Sequence, residues 1–172
     1  MAWTTPITWS GVPTVNQFNQ QIRDNLNALY LPPSVRAYRS STQTLTTATD
    51  TTILWDSEEW DNDGMHSTSV DTGRLTIVTA GRYMLGGHLE YAAGSNTYRH
   101  ARIIVNTGSL ATQGTKSLPL SSGYLDASCN PFVIGRQAYS SGYYYMEGRQ
   151  DSGGNLGVLQ DSGMWAHWIN GS

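Results

Sequence analysis

The chain has 172 residues, a formal net charge of −3 and a single lysine, Lys116. Its length suits one domain with its own apolar core; the lack of a clustered basic run excludes nucleic-acid binding by phosphate neutralisation, and one cysteine, Cys129, excludes an internal disulfide. Charged residues make up only 13%, against roughly 25% in ordinary globular domains, and Gly, Ser, Thr, Asn and Tyr take their place, a mixture that suits strands and tight turns.

Residues 1–13 hold Trp3, Pro6, Trp9, Gly11 and Pro13. A segment of this kind cannot fold alone, and its tryptophans need a surface to cover them. It reads as an arm. Met1 to Pro6 has neither the basic start nor the apolar stretch of a secretory signal, so synthesis in a cytoplasm is expected.

Residues 14–30 carry the one strong helix signal. Thr14 followed by Gln17 is a capping box. Val15, Phe18, Ile22, Leu26 and Leu29 then share one stripe at helical spacing, and Pro32-Pro33 ends the pattern. The stripe must dock, either on the chain's own body or on a partner; the spacing does not choose between them.

From Val35 the period changes to that of strands. Short apolar runs occur at Ile53-Leu54-Trp55 and Leu75 to Val78. After Gly81, Tyr83, Leu85, Gly87, Leu89 and Tyr91 point one way, with Arg82, Met84, Gly86, His88 and Glu90 opposite. Gly94-Ser95-Asn96 turns the chain into a strand over 99–106, and further strands are expected at 109–117, 130–139, 142–150, 155–159 and 163–170. Turn residues at spacings of about 8–12 argue for a sandwich or jelly roll. No window of 18 apolar residues suggests a membrane helix.

Few constellations suggest chemistry. Asp56, Glu58, Glu59, Asp61 and Asp63 form the one dense acidic group. It reads as a solvated turn with positive φ at Asp63-Gly64; a Ca²⁺ site is the rival reading, without EF-hand spacing. A pair of glycosidase carboxylates is a weaker one. His66, His88, His100 and His167 are scattered, with His88 and His100 expected on neighbouring strands. Cys129 reads as a small buried apolar residue. No nucleophile elbow or phosphate loop is present. The expectation is a chain that is not an enzyme and needs no cofactor or metal.

Aromatic residues are the remaining signal. Tyr143-Tyr144-Tyr145 must populate both faces of a sheet, and Trp165 and Trp168 fall on opposite faces. One face fills the core. The other is expected at an oligomer interface or a ligand surface, for which Tyr144, Trp165 and Trp168 are the candidates.

Four stretches, in order, resemble the C1q/TNF-like jelly-roll family: Trp60 to His66 as an acidic turn, Arg74 to Tyr83 as strand, Ala-Gly-x-Tyr and next strand, Tyr98 to Asn106 as the fourth strand ending in an Asn turn, and Ser162 to Ile169 as the last strand. The N-terminal strings Pro6-Ile7-Thr8-Trp9, Thr14 to Asn19 and Ile22-Arg23-Asp24-Asn25-Leu26 are similar to the openings of small structural proteins of tailed phages. The first resemblance implies an all-β, two-sheet antiparallel jelly roll that packs as a homotrimer and binds proteins or glycans without catalysing a reaction. The second implies a virion protein, a capsid decoration, head fibre or tail fibre, made in the host cytoplasm. The expected division is an anchoring arm and helix over 1–33 and a jelly roll over 34–172. Trp3, Trp9, Val15, Phe18, Ile22, Leu26 and Leu29 would dock on phage capsid or tail proteins. The alternative is a receptor- or glycan-binding module at a fibre tip. Neither reading involves nucleic acid or membrane.

Overall fold

The computed structural model describes residues 11–94, 98–106, 111–119, 127–138 and 142–171. Trp3 and Trp9 lie outside them.

Thr14 caps the helix as its sequence requires. The Gln17 amide donates to the Thr14 hydroxyl at 3.3 Å, and the Thr14 amide donates to the Gln17 side chain at 2.8 Å. The helix runs without a break through α1 (Val15–Phe18), a π-helical stretch (Asn19–Asp24) and α2 (Asn25–Tyr30). A side chain takes part at the end of the wider middle turn. The Asn25 side-chain amide donates to the Gln21 carbonyl at 3.2 Å, the acceptor that the regular ladder would use for the Asn25 backbone. Leu31 leaves the helical region and Pro32-Pro33 follows.

Thirteen strands follow among the described residues: β1 (Ser34–Tyr38), β2 (Gln43–Leu45), β3 (Thr51–Thr52), β4 (Ser57–Asp61), β5 (Arg74–Thr76), β6 (Gly81–Tyr91), β7 (Tyr98–Asn106), β8 (Ala111–Pro119), β9 (Ala127–Cys129), β10 (Phe132–Ala138), β11 (Tyr143–Gln150), β12 (Leu156–Val158) and β13 (Gly163–Asn170). All pairings are antiparallel. The first sheet runs β2-β12-β6-β13-β1-β4, with β9 and β10 on the free side of β6; the second runs β3-β11-β7-β8, with β5 also on β11. The first and last strands are therefore neighbours, Ser34 opposite His167 and Tyr38 opposite Gly163. Pro131 has no amide hydrogen to give a ladder and separates β9 from β10; its carbonyl accepts from the Gly87 amide at 3.1 Å.

The core lies between the two sheets. Tyr83, Leu85, Leu89 and Tyr91 enter it from β6, Met164, Ala166 and Trp168 from β13, Ala101, Ile103 and Val105 from β7, and Tyr144 and Met146 from β11. Cys129 is fully buried in the same cluster. The sheets leave no room for a side chain at Gly87, where a Cβ would run into Met146 Cε from the facing sheet and stand 2.9 Å from the Gly163 carbonyl of the neighbouring strand. The alternation expected for β6 holds along its whole length, with Gly86 on the outer side beneath the Trp165 ring.

Three sequence expectations change. The acidic stretch around Glu58 is the edge strand β4, because charge on an edge discourages further pairing and so does not argue against a strand. Ile53-Leu54-Trp55 lies just beyond β3 and still sends Ile53 and Trp55 fully into the core. His88 and His100 do not face each other, since β6 and β7 belong to different sheets.

Candidate functional site

Three surfaces outside the core carry the chain's unused chemistry. The first is the helix. Val15 is 75% exposed, Phe18 49%, Ile22 36%, Leu26 58% and Leu29 60%. The buried side of the helix is instead Asn25 and Ala28, each one position away from the stripe, about 100° around the axis. All five described anchoring candidates thus lie on one outward stripe.

The second surface is the outer face of the first sheet. Trp165 projects there from β13, with its ring over Gly86 and its centre 5.6 Å from that of Phe132. Together with Arg36, His88, Asn130 and Pro131 they line a hollow of about 310 Å³. Exposed Trp60 and Ile169 extend the apolar surface, and an Arg36–Glu59 ion pair crosses from β1 to β4. Of the three aromatic candidates, Trp165 alone is on an outer face. Tyr144 is fully buried, its ring centre 6.3 Å from that of Tyr83. Trp168 is 5% exposed, packed on Gly81, and its indole donates to the Ala80 carbonyl at 3.3 Å. Strand alternation puts both on the core side.

The third surface is the outer face of the second sheet, which sequence reasoning did not single out. Tyr143, Tyr145, Glu147 and Arg149 alternate outward along β11. Thr52, Leu54, Ser69, Asp71, Thr72, Gly73 and Arg74 join the first three of these around an open groove of about 530 Å³. The Arg74 guanidinium sits 4.9 Å over the Tyr143 ring and pairs with Asp71 at 2.6 Å. The Tyr143 and Tyr145 rings are 6.1 Å apart, inclined at 43°. Glu147 accepts from Arg102 at 2.5 and 2.7 Å, and the same guanidinium reaches Asp50 at 2.8 Å. Burial, then the Glu147 charge and the nearby Tyr143, push the Tyr145 hydroxyl above its ordinary value, so it stays protonated at neutral pH. Beyond Arg102, His100 is buried, and desolvation followed by the Arg102 charge holds it below the usual histidine range.

The acidic group is spent on the fold. Asp56 accepts from the Ser40 amide at 2.6 Å and the Ser41 hydroxyl at 2.7 Å, and pairs with Arg39 at 3.3 Å. Burial alone would raise its carboxyl; these partners outweigh burial and hold it below the ordinary value. Asp61 accepts from the amides of Asp63 and His66, and Asp63 accepts from the amide and hydroxyl of Thr79. Glu58 pairs with His66 at 2.8 Å. Gly64 takes φ +67°, the turn geometry expected at Asp63-Gly64. Among the described residues, no three His, Cys, Asp or Glu side chains are grouped to hold a metal ion. No helix among them is long and apolar enough to cross a membrane.

No family model and no curated protein sequence matches the chain. Solved structures do. The globular domain of zebrafish complement 1qA protein superposes with a TM-score of 0.60 at 10% identity, covering 81% of this chain and 99% of that one. Eiger TNF from S. frugiperda gives 0.58 at 12%, covering 81% and 95%. Murine APRIL gives 0.60 at 8%, covering 80% and 98%. The sheet order, the buried faces and these superpositions agree: the chain has an all-β, two-sheet antiparallel jelly roll of the C1q/TNF kind, preceded by a short helix.

Proposed function

We propose that this chain is a trimeric display module. Three jelly rolls associate through the outer face of the first sheet, and the N-terminal helix fixes the trimer to a larger assembly. The observation that carries the reading is the helix stripe, five apolar side chains from Val15 to Leu29, all at least 36% exposed. A helix this short gains its stability from packing, so such a stripe needs a partner. The Trp165–Phe132 surface supplies the second contact, of the aromatic kind that dominates interface cores. The likeness of the N-terminal strings to small structural proteins of tailed phages supports reading the assembly as a virion, with the chain as a decoration or fibre protein on capsid or tail. The mechanism is symmetric burial and avidity rather than bond chemistry.

Light scattering on the full chain and on residues 32–172 tests the arrangement. The cut belongs before Pro32, because the Pro32 and Pro33 carbonyls accept from Asn62 and Trp168 of the body. The full chain should have three times its 18.9 kDa mass, the truncated form three times its own smaller mass, and Trp165→Glu should reduce both to monomers. A monomeric wild-type body rejects the trimer. For the anchor, full-length protein and an Ile22→Asp/Leu26→Asp variant would be offered to undecorated phage particles; equal loading rejects the helix as the attachment.

A further inference from the structure

We propose that the groove on the outer face of the second sheet, between Tyr145 on β11 and Asp71 before β5, binds a short neutral oligosaccharide. This rests on the ligand-binding reading set beside the virion role and moves its address away from Tyr144 and Trp165.

Three features converge. The groove's volume of about 530 Å³ falls within the roughly 300–1,000 Å³ usual for small-ligand sites. Its aromatic wall is fixed in place: Arg74 stacks on Tyr143, and Tyr143 in turn contacts Tyr145. Tyrosines held in this way offer ring faces to the apolar face of a sugar, while the hydroxyl at the ring's edge still hydrogen-bonds. Around the rings stand short polar groups, the hydroxyls of Thr52, Ser69 and Thr72 and the carboxylates of Asp71 and Glu147, which match a ligand dense in hydroxyl groups.

Charge decides the ligand class. Every ionised group on the groove's rim already has an opposite partner within the chain: Arg74 with Asp71, and Glu147 with Arg102. No net positive charge is left to attract a phosphate, a sulfate or an acidic sugar, and admitting one would mean breaking a pair. A neutral sugar accepts from and donates to the paired groups without separating them. The position suits display, since this face belongs to the opposite sheet from Trp165 and stays open if the first sheet is occupied.

The test is a panel of immobilised neutral di- to tetrasaccharides of glucose, galactose, mannose and N-acetylglucosamine, with sialylated and sulfated counterparts, probed with the full-length chain. Wild type should bind at least one neutral structure above its acidic counterpart. Tyr145→Ala and Asp71→Ala should each weaken that binding by about tenfold or more, the equivalent of about 1.4 kcal/mol, in protein that still melts cooperatively, while Trp165→Ala leaves it intact. Tyr145→Phe keeps the ring and protects the comparison if the alanine variant folds poorly; it should retain most of the binding. Silence across the whole panel overturns the ligand-binding reading and this site together. Binding that survives Tyr145→Ala and Asp71→Ala in folded protein overturns the site alone. Preference for acidic glycans overturns the charge argument on which it stands.

Discussion

Gly87 shows how much of this molecule depends on a missing side chain. Its backbone passes between Met146 from the facing sheet and the Gly163 carbonyl from the neighbouring strand. A methyl group there meets one obstacle that is a flexible tip and another that is backbone, and the backbone cannot yield without opening the β6–β13 pairing. Gly87→Ala should therefore lower stability by about 1–3 kcal/mol, the usual cost of overpacking a filled core. The urea midpoint should fall with an unchanged slope; an unmoved midpoint would mean that the sheets are not as close there as described. The neighbouring Gly86 is bounded differently, by the Trp165 ring on the outer side. Adjacent glycines thus fit two different surfaces; the alternation of β6 tells which one faces the core, but not what each one meets there.

At the scale of elements, period was legible and orientation was not. The alternation from Gly81 to Tyr91 assigned every core residue of β6, because one buried face imposes a period of two. The capping box at Thr14 and the stop at Pro32 bounded the helix, because both are local chemistry. What the helix faces was hidden, since five apolar residues on a stripe look alike whether they meet their own body or another chain. The strand β4 was hidden by its charge. The groove at Tyr145 was hidden for a third reason: Asp71 and Arg74 lie some seventy positions earlier and meet Tyr143 and Tyr145 only because β5 pairs with β11. The triple tyrosine did announce that two of its members leave the core, but not what waits for them. The helix itself yields a clean expectation. Thr14→Ala removes the hydroxyl half of the capping box, leaving the backbone half in place, and should destabilise the helix by about 1 kcal/mol, while the body's melting temperature stays fixed. Amide exchange in residues 15–30 would speed up alone; a joint change in body and helix would show that they fold as one unit.

For the whole molecule, the decisive fact is that the first sheet is closed by the chain's last strand. β13 lies between β1 and β6 and supplies Met164, Ala166 and Trp168 to the core. Its backbone pairs along both edges. A chain ending at Ser162 should therefore lack cooperative unfolding altogether, rather than melt a few degrees earlier. Loss of a sigmoidal thermal transition is the expected result; a retained one would show that β1 and β6 can close the sheet without β13. Non-local pairings of this kind also predict slow folding compared with helical proteins of equal size.

The pairing of Ser34 with His167 has an engineering meaning as well. The chain enters the jelly roll and leaves it at the same end, so whatever follows Asn170 begins beside the helix. A reporter or antigen fused after Asn170 would crowd the helix. The turn between Tyr38 and Gln43, and that between Val158 and Gly163, sit at the opposite pole, where Tyr38 meets Gly163. A passenger peptide spliced into either turn would point away from the end where the helix joins.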